Sequence, residues 1–195
     1  MAYSDADQAM LFRIARESIQ AHLRGKWPPP LESDAPKLRE PRGVFVTLHR
    51  KGSLRGCIGY LEAVKPLGQA VQEMARAAAF QDPRFPPLQA EELPEIDLEI
   101  SILTPMRRVD TTAEITVGVH GLYLEQGPRR GLLLPQVATE HGWDRLTFLR
   151  QTCVKAGLPP DAWKDAATRI YIFCAEILKE HPPEAGTSRQ ECPTP

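Results

Sequence analysis

The octapeptide SLRGCIGY, Ser53–Tyr60, combines residue types that can carry chemistry. Cys57 lies between Gly56 and Gly59, and Arg55 precedes the cysteine by two positions. A neighbouring positive charge favours thiolate over thiol and lowers the pKa of a cysteine. Glycines in a strand leave room for close approach of another molecule. The motif therefore predicts a nucleophilic thiol next to a guanidinium, with Arg55 promoting the thiolate or binding an anionic group.

A regular strand would divide this octapeptide between two faces. One face is expected to carry Arg55, Cys57 and Gly59, and the other Leu54, Ile58 and Tyr60, which we expect to lie in the core. An alternative remains open, because free cysteine is among the most buried residue types. In that interpretation Cys57 is a small core residue and the glycines only bend the strand.

A thiol enzyme also needs a base, and His120 is the best candidate among the five histidines. It stands in Gly118-Val119-His120-Gly121, where glycines predict an exposed turn, although such a histidine is more often only a turn residue. Glu99 and Glu140 are candidates for orienting the base. Their default role is that of solvent-exposed surface acids.

Three further polar residues are candidate binding residues. Ser101 stands beside Glu99 on the polar side of a predicted strand. Asp82 is expected to cap the loop before Pro83 and to pair with Arg84.

Composition and charge restrict the function classes. The 195 residues include 24 basic and 25 acidic side chains, which argues against an electrostatic nucleic-acid binder. The four cysteines form no CxxC pair, so we expect separate reduced thiols and no zinc or iron–sulfur site. Phosphate-binding glycine loops and HExxH are absent, and we predict neither a metal nor a cofactor. Without a signal peptide or a long apolar stretch, the chain is expected to be cytoplasmic.

The apolar pattern predicts both helices and strands. Helices are expected at 5–23, 66–82, 134–141 and 145–156, strands within 41–60 (a hairpin), 94–103 and 115–135, and a final strand at 169–178 that returns to the first sheet. The proline-rich tail from His181 is expected to be mobile. The layout predicts a large subdomain of residues 1–108 and 166–181, a small inserted subdomain of residues 109–165, and a disordered tail of residues 182–195.

Several segments together resemble the AMMECR-domain family. The hexapeptide LRGCIG at 54–59 is the hallmark of that family, and the resemblance continues through GVFVTL at 43–48, AAAFQDPRFPPL at 77–88, EISILTP at 99–105, GVHGLYLEQG at 118–127, LLLPQVATEHGW at 132–143 and KAGLPPDAW at 155–163. It covers about residues 8–180 in order, and leaves the tail outside.

The resemblance implies an α+β fold of two unequal subdomains, each an antiparallel sheet with helices, and a cleft between them lined by the hexapeptide. Prokaryotic members resemble the first component of a system that also holds a Memo-type protein and a radical SAM protein. The family's reaction is unassigned. Two hypotheses follow: a cleft enzyme that uses Cys57 as a nucleophile or carrier for a protein or small-molecule substrate, or a non-catalytic module that binds a substrate or partner proteins. Nucleic-acid binding is a third hypothesis and the weakest of the three.

Overall fold

The fold is known from a computed structural model, which describes residues 3–28, 30–31 and 35–180. The chain divides into two compact units, one running to Leu103 and resuming at Glu176, the other spanning Thr104–Ala175. The predicted subdomain boundaries and the predicted cleft stay predictions. The predicted mobile tail lies outside the described residues.

The first unit contains helices and one four-stranded sheet. Its elements are α1 (Asp5–Leu23), α2 (Pro36–Arg39), β1 (Val44–Arg50), β2 (Ser53–Tyr60), α3 (Leu67–Phe80), a 3₁₀ helix (Ala90–Glu95), β3 (Ile96–Leu103) and β8 (Ala175–Lys179). The strand order is β2-β1-β3-β8, so β2 is an edge strand. β1 is antiparallel to both β2 and β3. A capping box between Ser4 and Asp7 starts α1.

The core of the first unit follows from the spacing of apolar residues in its helices and from their alternation in its strands. Alternate residues of β1 and β3 are buried on one sheet face: Val44, Val46, Leu48, Ile96, Leu98, Ile100 and Ile102. The alanine-rich face of α3 packs on β1 and β2, and α1 packs on α3. The opposite face of the sheet carries the polar alternates, which include Thr47 and Glu99.

The second unit contains the other four-stranded sheet. Its elements are β4 (Arg107–Arg108), a 3₁₀ turn (Thr112–Glu114), β5 (Gly121–Gln126), β6 (Arg129–Leu133), α4 (Pro135–Glu140), α5 (Arg145–Lys155), a 3₁₀ turn (Ala162–Lys164) and β7 (Arg169–Phe173). The strand order is β4-β7-β5-β6 with antiparallel pairing throughout. Leu122, Leu124, Phe148 and Leu149 lie fully buried between α5 and this sheet. The predicted α+β class with two antiparallel sheets is confirmed.

The prediction for the last apolar run was wrong in part. The run 169–178, predicted as one strand of the first sheet, forms β7 in the second sheet and β8 in the first. Thr104 causes the interruption by exchanging two hydrogen bonds with the backbone of Cys174. Of the strands expected within 115–135, the structure forms two, β5 and β6. The segment before them, ITVGVHG, is a turn, because Thr116 O accepts from the backbone N–H of both Val119 and His120.

The structure of the described residues bears on the expectations for membrane spans, metal sites and cysteines. No helix among them has the length and apolar character needed to cross a bilayer. Within the same residues, no group of three or more His, Cys, Asp or Glu side chains could hold a metal ion. Cys57 and Cys153 are free thiols. Cys174 is disulfide-bonded, so the prediction of four separate reduced thiols was wrong at that position.

Candidate functional site

A β-bulge decides which face of β2 carries the candidate nucleophile. Leu48 pairs with Gly56 and His49 pairs with Leu54, so Arg55 is an extra residue with no partner on β1. Beyond the bulge, Cys57 lies opposite Thr47 on the polar face of the sheet. In a hairpin without the bulge, Cys57 would face the core.

The same bulge corrects the predicted apolar face of β2. Leu54 was expected to lie in the core with Ile58 and Tyr60, but its side chain is 42% exposed. Leu54 precedes the extra residue and therefore points away from the helices. Ile58 and Tyr60 follow it and pack against the core.

The Cys57 thiol is half-buried and takes no part in the hydrophobic core cluster of the first unit. Thr47 Oγ1 lies 3.2 Å from Cys57 Sγ and donates a hydrogen bond to it. Thr47 also pairs with Glu99 on β3, so the three side chains form one row across the polar face. Glu99 makes a longer ion pair, 3.8 Å, with Lys179 of β8.

The backbone of Cys57 is bound on the outer edge of β2 by the loop after α3. Cys57 N donates to Asp82 Oδ2 at 2.9 Å, and Arg84 Nη2 reaches Cys57 O at 3.4 Å. Because both backbone groups of Cys57 point outward, Cys57 and Thr47 form a non-hydrogen-bonded pair, in which side chains are closest. Asp82 pairs with Arg84 as predicted, at 2.7 and 2.9 Å. This pair takes the place that a neighbouring strand would have.

The surroundings of the thiol raise its pKa, whereas the motif alone predicted a lowered one. Burial raises the pKa of Cys57, and the carboxylates Asp82 and Glu99 raise it further. The Thr47 hydrogen bond and the Arg84 guanidinium oppose burial but do not outweigh it. The cation that acts on Cys57 is thus Arg84 and not Arg55.

The Arg55 side chain forms a separate clamp. Its guanidinium donates twice to Glu92, at 2.9 and 3.0 Å, and once to Pro86 O at 2.9 Å. Glu92 also accepts from Arg50 Nη1 at 3.0 Å. Arg55 is 8% exposed and lies over the Phe85 ring at 5.9 Å. The predicted binding residue therefore fastens the segment after α3 to β2.

This clamp predicts a loss of stability in acid. The Arg55 guanidinium lowers the pKa of Glu92 to about 2, and Arg84 holds the pKa of Asp82 well below its usual range. A carboxyl whose pKa is depressed by folding stabilises the folded chain above its unfolded pKa, and that contribution is lost as pH falls. We expect the free energy of unfolding, measured by urea denaturation, to fall from about pH 5 towards about pH 2. Glu92→Gln should be less stable at neutral pH and should show a shallower decline; an unchanged decline would contradict the assignment.

The two motif glycines contact the chain itself. A Cβ at Gly56 would lie 2.1 Å from Ala78 O of α3, and one at Gly59 would lie 2.4 Å from the Phe45 ring. Gly56 thereby allows α3 to approach β2, and Gly59 accommodates Phe45. The room that the sequence predicted for another molecule is occupied by these groups.

The remaining candidates lie in different surroundings. Ser101 is 1% exposed, and within the described part of the chain its hydroxyl has no hydrogen-bond partner. His120 is in the second unit, where Nδ1 accepts from Thr116 N at 3.0 Å and burial lowers the pKa of the ring. It closes its own turn, as the alternative interpretation expected. Glu140 is exposed at the end of α4. Their proposed roles in catalysis or binding stay predictions.

Three residues of the site were missed from the sequence. Thr47 was missed because counting back from the hairpin turn pairs it with Gly56 unless the bulge is known. Glu92 and Phe85 carry no local signal, since their partner Arg55 is about 30 or more residues distant along the chain.

Known proteins provide an independent comparison. The AMMECR1 family model matches residues 12–178. A protein from Methanothermobacter thermautotrophicus is 55% identical over 177 residues, covering 87% of this chain and 92% of the relative. A protein from Thermococcus kodakarensis is 46% identical over 191 residues, covering 92% and 93%. The crystal structure of an uncharacterized protein from Pyrococcus horikoshii has a TM-score of 0.84 at 44% identity and covers 92% of this chain and 94% of that one. The sequence resemblance is confirmed, and the chain belongs to the AMMECR1 family.

Proposed function

We propose that Cys57 is the reactive group of an enzyme, acting as a nucleophile or as a covalent carrier. The supporting observation is that the neighbouring motif residues are used to place this thiol, while the thiol itself is outside the core. Gly56 packs on α3, Arg55 clamps the following segment, and Asp82 binds the Cys57 backbone. A cysteine needed only for packing would not require this arrangement on the polar face.

In this proposal the thiol is latent. Burial raises the pKa of Cys57, so a bound substrate or a base must remove the proton before attack. Arg84 is then the residue that stabilises the thiolate or an anionic group of the substrate. Its side chain is 54% exposed, so it is accessible to a ligand as well as bound to Asp82.

The alkylation rate of Cys57 tests this electrostatic assignment. We expect slow reaction with iodoacetamide near neutral pH and a rate that keeps rising with pH, because the pKa of the thiol is above its usual value. Arg84→Ala and Thr47→Val should each slow the reaction further, since each removes a group that favours the thiolate. The measurement is peptide mass spectrometry on the folded chain, with the fully buried Cys153 as an internal control.

A rate that reaches its plateau near neutral pH would contradict the latent thiol. Equal rates in wild type and Arg84→Ala would contradict the role of Arg84. For the enzymatic role, the test is complementation of a strain that lacks the protein. Full function of a Cys57→Ser chain would exclude both nucleophile and carrier.

A second candidate function is a non-catalytic module that binds a substrate or partner protein. The observations that favour it are the half-buried position of the thiol, which raises its pKa, and the exposed Arg84 guanidinium beside it. In this function Arg84 makes an ionic contact with the ligand, and the Cys57 thiol is only part of the contact surface. This function predicts that Cys57→Ser complements fully, whereas Arg84→Ala does not.

The resemblance also supports a place beside a Memo-type protein and a radical SAM protein in a modification system. We test direct association by a pull-down with the purified tagged chain against both purified candidate partners. Retention of either partner by wild type, and its loss in Arg84→Ala, would support a shared site. Absence of both from the retained fraction would contradict direct binding.

A further inference from the structure

A second surface of the first unit has the properties of a binding groove. It has a volume of about 510 Å³ and shares no lining residue with the Cys57 site. One side is the outward face of α3, whose residues at helical spacing include Gln69, Glu73 and Arg76. The facing side is formed by Trp27 with neighbouring prolines and Leu31.

Trp27 is the most unusual residue of this groove. Its side chain is 83% exposed, whereas a tryptophan normally contributes one of the largest buried areas of any residue. Arg76 lies over the ring, with its guanidinium carbon 5.6 Å from the ring centroid. This cation–π contact orients the indole while leaving most of it accessible. Exposed, oriented tryptophan and arginine are the residue types that dominate binding energy at protein interfaces.

The charges of the groove leave one cation without a counter-charge in hydrogen-bond contact. Lys65 Nζ binds Glu73 at 2.6 and 2.8 Å, and Tyr60 Oη donates to the same carboxylate at 2.7 Å. Within the described residues, the Arg76 guanidinium makes no salt bridge. The lining therefore has a net positive charge at Arg76, next to the indole. A carboxylate is the complementary group.

We propose that this groove binds an acidic, proline-containing peptide segment of a partner protein. A glutamate or aspartate of the segment would pair with Arg76, and a proline ring would lie on Trp27. Extended proline-containing segments are preformed, so they bind aromatic grooves with little loss of conformational entropy. Single-stranded nucleic acid also stacks on tryptophan, but nucleic-acid channels use successive aromatic platforms, whereas Trp27 is the one aromatic side chain among the described lining residues.

The test is calorimetric titration of the full chain with a hexapeptide of alternating glutamate and proline, alongside its lysine–proline counterpart. We expect weak binding of the acidic peptide, with a Kd of about 100 μM, and no binding of the basic one. Trp27→Ala and Arg76→Ala should each weaken binding about fivefold or more. Val154→Ala and Arg13→Ala are the matched controls, because both residues are exposed outside the groove and should leave the affinity unchanged.

Several results would overturn the proposal. The proposal fails if millimolar acidic peptide gives no heat of binding, or if the basic peptide binds as tightly as the acidic one. It also fails if Trp27→Ala, shown to unfold at the wild-type temperature, binds the acidic peptide with wild-type affinity. Tighter binding of a single-stranded oligouridine that depends on Trp27 would identify nucleic acid as the ligand. Self-association in sedimentation that Trp27→Ala abolishes would identify a second copy. Cys57→Ser should bind the peptide as wild type does, so this result is independent of the function proposed for Cys57.

Discussion

Replacement of Arg55 by alanine is expected to lower the free energy of unfolding by about 3 kcal/mol, the low end of what breaking a buried ion pair costs. Arg55 and Glu92 have side chains only 10% and 14% exposed, so the carboxylate would lose its bidentate partner inside the protein. Glu92 keeps Arg50 and the backbone N–H of Gln89, which is why the expected loss is at the low end. Urea denaturation near neutral pH measures it.

Two further variants test whether the loss of stability in Arg55→Ala comes from the buried ion pair. Arg107→Ala removes an exposed pair with Glu114 and should cost about 1 kcal/mol or less. Arg55→Lys should fall between wild type and Arg55→Ala, since an ammonium cannot donate in the same fork. If Arg55→Ala were as stable as Arg107→Ala, the clamp would not hold the segment after α3.

The same variant separates the two interpretations of the hexapeptide. The sequence predicted that Arg55 activates Cys57, whereas in the structure the cation that lowers the pKa of Cys57 is Arg84. At temperatures where Arg55→Ala remains folded, its alkylation profile against pH should match that of wild type. A profile shifted to higher pH would restore Arg55 as the activating group.

Replacement of Gly56 by alanine is expected to lower the free energy of unfolding by about 3 kcal/mol, at the upper end of overpacking effects. The added Cβ would lie 2.1 Å from Ala78 O, which is backbone and cannot turn aside. Either β2 or α3 must shift, and a shift of β2 moves Cys57 away from Thr47 and Asp82. We therefore expect the variant to lose stability and to alter alkylation of Cys57 together.

Gly68→Ala in α3 is the matched control for Gly56→Ala. A Cβ there would meet its nearest neighbours, Leu31 Cδ1 and Leu38 O, at 3.5 and 3.6 Å, which is ordinary contact. Alanine is the better helix former, so this variant should gain about 0.5 to 1 kcal/mol. Equal effects of the two substitutions in urea denaturation would exclude the backbone contact as the cause.

Local patterning was sufficient for most elements of this chain. The helix at 5–23, the hairpin that ends at Tyr60 and the strand that ends at Leu103 were predicted closely, because their apolar periods are long and their ends carry turn residues. The pairing of Asp82 with Arg84 was also predictable, since the two residues are neighbours in a short loop. The sequence alone thus determined the family, the fold class and the cysteine to examine.

The tertiary structure decided what surrounds that cysteine. The partners of Arg55, the contacts of Gly56 and the cation near Cys57 depend on segments far apart along the chain, and no local pattern encodes them. The division of 169–178 between two sheets depended on Thr104, for the same reason. Above all, the bulge at Arg55 set the face of Cys57. Because side chains alternate with a period of two, one extra residue moves the thiol from the core to the polar face beside Thr47.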